Sequence, residues 1–422
     1  MLTTKPKGTR DIYGEDSYHW HWMEQTIREI AERYGATEIR TPTFEHTELF
    51  TKNVGETTDI VNKEMYTFLD RGGRSLSLRP EGTAGAIRCF VEEKLYANTL
   101  PLKLYYMMSN FRAEKPQKGR YREHRQFGVE FIGPYEPEND VEVIAIAKDV
   151  LDAIGAKVML NINSIGEADA REKYHNVLKD YIGDNLDDMC EDCKSRIDRN
   201  PLRALDCKVD KCKKIMDDAP SIQASLNDAD KDHFARVLKI LDVLGIEYVV
   251  NPRIVRGLDY YTRTVFEFID EDSLGAQSTV CGGGRYDNVV EQTGGPKMGS
   301  VGFGMGMERL LMSAKANGKV ADTVPRRHMF IGYIGEAGRL LSQKLVYNLR
   351  KSGVHADGDS MGRGLKAQLK YADKINAKYS LVLGDDEIEK GVVQVKDMDT
   401  GDKYDVKINE LEDFCKNAKI ID

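Results

Sequence analysis

The sequence has no run of about 18 apolar residues, so no membrane span is expected. Its start, MLTTKPKGTRDIYG, lacks the apolar core of a secretory leader, so the cytoplasm is the expected compartment. It lacks internal repeats, low-complexity tracts and a GxGxxG fingerprint, which removes solenoids, disordered tails and a Rossmann dinucleotide site. It also lacks positive charge overall. Sixty-one Lys and Arg stand against 69 Asp and Glu, for a net charge of −8. Indiscriminate nucleic-acid binding by the whole surface is therefore excluded, though a local basic site is not. The seven cysteines are odd in number and unevenly placed, which argues against a disulfide framework.

What is present is ordinary globular material: 422 residues, 41% hydrophobic and 31% charged, enough for about three domains. Met23, Ile27, Ile30, Ala31 and Tyr34 define one face of a helix over 17–34, with Gly35 as its C-terminal stop. A short strand over 38–41 should end at Pro42, which cannot donate to a ladder. Strands at 103–112 and 124–132 flank a polar loop and read as a long hairpin. A helix over 141–155 and a strand over 157–163 follow. The charged stretch 168–240 reads as a helical insertion. Strand-like sequence resumes at 247, with 260–269 and 276–281 as partners, and a glycine-rich strand at 301–306 runs into a helix at 307–316. Residues 317–327 read as a linker. Beyond it, strands at 328–334, 354–358 and 379–383 alternate with helices at 336–352 and 364–375. That rhythm implies a small α/β domain with a largely parallel sheet.

Three places concentrate chemistry. On the strand 124–132, alternation puts Phe127, Val129 and Phe131 on one face and Gln126, Gly128 and Glu130 on the other. Two polar side chains flanking a bare glycine leave a hole suited to a small polar ligand. Taken alone, that face also reads as the solvated outside of a sheet. From 112 to 125 six basic residues (112, 115, 118, 120, 122, 125) outweigh Glu114 and Glu123, a local charge of +4 suited to phosphate. Gly302, Gly304 and Gly306 strip one face of a strand, against which a flat purine could lie, and Arg309 follows at a helix start.

These residues together resemble the class II aminoacyl-tRNA synthetases, and within them the histidyl-tRNA synthetase family. The helix, strand and Pro42 are similar to motif 1. Phe111-Arg112-Ala113-Glu114 through Gln126 and Glu130 resembles motif 2, and Gly302 to Arg309 resembles motif 3. RGLDYY at 256–261 and LGAQSTVCGGGRYD at 274–287 resemble the two histidine-specific signatures. Lys7-Gly8-Thr9-Arg10-Asp11 and Arg79-Pro80-Glu81-Gly82-Thr83 match as well.

The resemblance covers essentially the whole chain and implies an α+β fold. Residues 1–167 and 241–322 would form the class II catalytic domain, a six-stranded antiparallel sheet with flanking helices. Residues 168–240 would be a helical insertion, and 328–422 an α/β anticodon-binding domain. It implies ATP-dependent ligation of L-histidine to its tRNA through a histidyl-adenylate, with ATP and Mg2+, by a cytoplasmic homodimer without membrane attachment. Arg112, Arg256 and Arg309 would be catalytic. Arg112 and Arg256 would hold the α-phosphate and Arg309 the γ-phosphate. Glu114 would read the adenine amino group. Glu81, Thr83 and Gln126 would hold the ammonium end of histidine. Glu130 and Tyr261 would read its ring nitrogens, with Tyr260 and Tyr286 beside them. One position departs from the family. It carries Phe where this chain has His124, so adenine would stack on a smaller ring.

No metal is implied among the catalytic residues. Cys190, Cys193, Cys207 and Cys212 are spaced C-x2-C-x13-C-x4-C, which admits a structural four-thiolate zinc site or four reduced thiols. Residues 194–214 around them carry a charge of +5, suited to a tRNA acceptor stem. The nearest competing reading is a regulatory paralogue subunit of ATP phosphoribosyltransferase in histidine biosynthesis. Such paralogues lack the anticodon domain and lose tRNA-charging residues. This chain retains both 328–422 and the three arginines.

Overall fold

The helical face expected near the N-terminus is realised by a helix over Glu15–Arg33, with Met23, Ile27, Ile30 and Ala31 wholly buried. Tyr34 lies beyond the helix, and its hydroxyl donates to Asp149 at 2.7 Å. Gly35 follows at φ 74°, left-handed backbone that costs a residue without a side chain little. This is a computed structural model. It describes residues 3–55, 58–197, 200–205, 207, 209–254, 260–274, 278–320 and 324–418. The chain forms two units, Met1–Ala321 and Asp322–Asp422.

The first unit contains strands β1 (Thr37–Glu38), β2 (Phe44–His46), β3 (Thr67–Leu69), β4 (Ser75–Leu78), β5 (Leu102–Phe111), β6 (Glu123–Gly133), β7 (Met159–Ser164), β8 (Tyr248–Val250), β9 (Thr262–Ile269), β10 (Thr279–Arg285) and β11 (Gly299–Gly306). The main sheet has the order β1-β5-β6-β11-β10-β9-β7-β8. Its six inner strands are antiparallel throughout, and β1 and β8 add one parallel pairing at each edge. The strand expected over 38–41 is only Thr37–Glu38. The Arg79 guanidinium takes the Thr41 and Pro42 carbonyls at 2.8 and 3.2 Å, so that backbone turns from the ladder.

Phe127, Val129 and Phe131 of β6 and Val301, Phe303 and Met305 of β11 form one core with the helices Glu15–Arg33, Pro137–Ile154 and Met307–Ala316. The opposite face of β6 looks toward the helix Thr83–Glu92, whose Ile87 and Phe90 share a second core with Leu104 and Ile132. A buried ion network ties the helical layer to the sheet. Asp140 pairs with Arg285 of β10 and accepts from Thr264 of β9 at 2.6 Å, with His233 at 2.7 Å. The expected domain boundary at 240 falls inside the helix Asp228–Leu244. Phe234, Val237 and Leu241 of that helix belong to the main core, because its apolar face packs on Pro137–Ile154.

The second unit has β12 (Met329–Tyr333), β13 (Ala356–Gly358), β14 (Tyr379–Leu383), β15 (Val392–Asp397) and β16 (Lys403–Lys407), ordered β13-β12-β14-β15-β16. The expected largely parallel sheet is parallel only on the β13-β12-β14 side. The hairpin closed by Gly401 at φ 80° adds β15 and β16 antiparallel. Among the described residues, no helix is long and apolar enough to cross a membrane.

Candidate active site

The register of β6 against β11 explains the glycines. Gly302 lies opposite Glu130, Gly304 opposite Gly128, and Gly306 opposite Gln126. A Cβ at Gly302 would strike the Glu130 carboxylate, and one at Gly304 the Gln126 amide. The bare face is thus filled by polar side chains of the neighbouring strand, not left for a purine as expected. Only Gly306, beside Arg309, has ordinary clearance, with its nearest side-chain atom at 3.8 Å.

The hole expected at Gly128 is filled too. Tyr106 of β5 is its cross-strand partner, and the ring covers both Gly128 and Gly82. Its hydroxyl donates to Glu130 at 3.0 Å. Sequence reasoning missed Tyr106. The available signal was an aromatic residue that comes opposite a glycine once the hairpin register is drawn. Gly128→Ala has no room beside that ring and should lower unfolding stability by about 1–3 kcal/mol, read by urea denaturation.

Glu130 is fully buried, which overturns the solvated-face reading of this strand. Thr83 donates to it at 2.7 Å, and Tyr106 and Tyr286 donate as well. Burial still pushes its pKa up to about 8; the hydroxyl donors oppose the rise and Glu81 reinforces it. Glu81 accepts the Thr83 and Ala84 backbone N–H groups at 2.7 and 2.8 Å, two unpaired donors at a helix start. Burial raises its pKa against those bonds. Gln126 accepts from Asn110 at 2.6 Å. The rings of Tyr260, Tyr261 and Tyr286 form a cluster with centroids 4.7–6.4 Å apart. Burial drives the Tyr260 and Tyr286 phenols well above their ordinary pKa, so they remain donors at neutral pH. Glu81, Thr83, Gln126 and these tyrosines, with Tyr106 and Arg112, line a cavity of about 70 Å3, and Glu130 accepts from three of those lining residues.

A cationic region adjoins it. Arg112 donates to the Pro80 carbonyl at 2.8 Å. Arg309 donates to the carbonyls of Gly119 and Thr279 at 3.0 and 2.6 Å, so the basic hairpin loop helps aim the motif 3 arginine. Burial, then Arg120 and Arg112, pull the Arg309 pKa down. The half-buried His124 ring is held neutral, its pKa pushed down to about 3 by burial and by Arg112 and Arg309. These three arginines therefore act on one another and on a single uncharged ring. Arg120, read from sequence only as part of the basic loop, belongs to this group. It pairs with Glu114, whose carboxylate is thereby already engaged. Arg256 lies outside the described residues, as do 257–259 and 275–277 of the two signature stretches. Arg285 is fully buried in the ion network and faces away from the cavity that Tyr286 lines.

A six-stranded antiparallel sheet with a tyrosine- and carboxylate-lined pocket ending in arginines is the catalytic architecture of a class II aminoacyl-tRNA synthetase. The family profile described as histidyl-tRNA synthetase matches residues 8–310, and that described as anticodon binding domain matches 329–418. The chain belongs to the histidyl-tRNA synthetase family. It is 51% identical over 418 residues to a histidine–tRNA ligase of Thermoanaerobacter pseudethanolicus, covering 99% of this chain and 100% of that one. It is 48% identical over 420 residues to one of Clostridium perfringens, with 99% and 100% covered. The apo histidyl-tRNA synthetase structure of S. aureus superposes with a TM-score of 0.83 at 37% identity, covering 98% of this chain and 99% of that one.

Proposed function

We propose that the protein attaches L-histidine to its tRNA in two steps, through histidyl-adenylate. The observation that carries this reading is the cavity lined by Glu81, Gln126, four tyrosines and Arg112, with buried Glu130 bonded to its lining residues and with His124 and Arg309 acting electrostatically with Arg112. A carboxylate oxygen of histidine attacks the α-phosphorus of ATP, supplied as its magnesium complex. The bond to the bridging oxygen breaks and pyrophosphate leaves. The terminal ribose 3′-hydroxyl of the tRNA then attacks the acyl carbon, and AMP leaves. The first step requires in-line placement and positive charge more than acid–base help, which suits a site built from guanidinium groups.

In this reading Arg112 and Arg256 hold the α-phosphate and Arg309 the γ-phosphate. Glu114 reads the adenine amino group, and the neutral His124 ring stacks on adenine. Glu81, Thr83 and Gln126 receive the ammonium group. Glu130 and Tyr261 pair with the two ring nitrogens, while Tyr260 and Tyr286 wall the ring. A site that pairs both nitrogens rejects analogues lacking them by roughly 10⁴-fold or more, so no editing domain is required. The second unit would bind the anticodon, and the working form would be a cytoplasmic homodimer.

The regulatory-paralogue reading has less support. Identity of about half with full-length ligases and the match at 329–418 both favour the ligase. The Bacillus halodurans structure titled ATP phosphoribosyltransferase regulatory subunit/histidyl-tRNA synthetase, at 21% identity and a TM-score of 0.65, shares the fold. The test is charging of total tRNA with labelled histidine and ATP. Acid-precipitable label that disappears when the tRNA 3′-end is oxidised with periodate supports the ligase. Histidine binding without label in tRNA refutes it.

A further inference from the structure

We propose that Cys190, Cys193, Cys207 and Cys212 bind one zinc ion that staples the inserted segment. The four Sγ atoms all lie within 4.8 Å of one another. A tetrahedral zinc site with bonds of about 2.3 Å requires sulfur–sulfur edges of about 3.8 Å. Cys190 and Cys207 already meet that edge, at 3.8 Å. The four sulfurs converge without any disulfide between them. Cys193 and Cys212 are fully buried, and Cys190 and Cys207 are partly so.

The surroundings suit thiolates. The Cys190 backbone N–H donates to the Cys212 sulfur at 3.1 Å, the kind of outer bond that favours charge on a metal-bound sulfur. Residues 194–214 carry eight Lys and Arg against three Asp, which offsets the two net negative charges of a Zn(Cys)4 centre. The local elements are too short to hold themselves. Glu191–Arg196 is six residues long, Pro201–Ala204 is four and Asp210–Asp217 is eight. Besides Cys193 and Cys212, their buried apolar side chains are Pro201, Ala204 and Met216, with Leu202 and Ile215 partly buried. Segments with so little core gain their order from cross-links, and a closed four-sulfur site is one. Binding releases four thiol protons to solvent as four Zn–S bonds form, with no redox change. All four positions are protein sulfurs, so the site offers no open coordination and its role is structural.

The experiment uses the full chain, expressed with zinc and purified without chelator. Metal analysis should find about one zinc per chain, falling below about a tenth in Cys190→Ser and Cys212→Ser. Cys89→Ser, outside the cluster, should keep the metal. Because those variants could misfold, native wild-type protein is also titrated with a mercurial thiol reagent. One equivalent of zinc should leave as the cluster thiols react. Amide exchange in 189–217 should then speed up at least roughly tenfold, with β6 and β11 unchanged. Cobalt added to the metal-free protein should give thiolate charge-transfer absorption. Protein that holds no zinc and gives no cobalt band, iron in place of zinc, or the four cysteines recovered as two disulfides would each overturn the proposal.

Discussion

Arg112→Ala is expected to lower histidine-dependent ATP–pyrophosphate exchange by about 10²–10³-fold, the usual loss when one preorganised charge on a transition state is removed. The melting temperature should stay level or rise. The reason lies in the clustered cations. Arg112, Arg120 and Arg309 are gathered together, and burial followed by the repulsion of Arg120 and Arg112 depresses the Arg309 pKa against the pull of Glu267 and Glu308. Removing one cation relieves the free protein while depriving the phosphate of a partner. The Arg112 guanidinium donates to the Pro80 carbonyl, a bond to backbone rather than to a carboxylate. Arg112→Lys should recover only part of the rate, since an ammonium lacks the planar fork. A loss of exchange matched by a large fall in melting temperature would mean Arg112 is structural.

Glu130→Gln carries the second large effect, and it too has opposite signs for stability and function. The Glu130 carboxyl titrates near 8 in the folded protein against an ordinary value of 4.5. Between those values the unfolded chain loses this proton while the folded one keeps it. The group's contribution to stability is therefore full at acid pH and declines as pH rises toward 8. The amide has no proton to lose, so the variant should melt no lower than wild type at pH 8, and its melting temperature should depend less on pH. Histidine activation should suffer, because the carboxyl that can give up its proton against the imidazole N–H and form a charge-assisted bond there is gone. A bond of that kind contributes about 1.5–3 kcal/mol, so kcat/KM for histidine should fall roughly 10- to 150-fold. Parallel pH profiles of melting and exchange check both halves. A variant that melts lower at pH 8 yet keeps normal kcat/KM would contradict the account.

Both effects come from one property. The site gathers buried like charges and a buried carboxyl that substrate groups would offset, and so the residues that serve binding do not serve folding. That also explains which features were legible in sequence. Positions where local and global preferences agree read well. Phe127, Val129 and Phe131 lie on the core face as period two requires. The glycine strand ends at Gly306, and the helix begins at Met307. The strand Tyr379–Leu383 has the expected limits.

The pocket was legible as a set of residue types but not as a shape. Alternation placed Gln126 and Glu130 on one face, but only strand pairing shows that Gly302 and Gly304 exist to accommodate them. Alternation cannot say what comes from the next strand, so the Tyr106 ring in the Gly128 gap was invisible. The strand expected over 38–41 stops early for the same kind of reason: a distant side chain, Arg79, takes the carbonyls of Thr41 and Pro42. The expected boundary at 240 falls within a helix whose buried face mixes Asp230 and His233 with Phe234, Val237 and Leu241, a pattern that reads as surface in sequence.

The most direct measurement is ATP–pyrophosphate exchange run separately with each amino acid. If buried tyrosines and a carboxylate read an imidazole next to a triphosphate-gripping cluster, label should return to ATP with histidine alone. Exchange with a different amino acid, or none with histidine, would contradict the assignment.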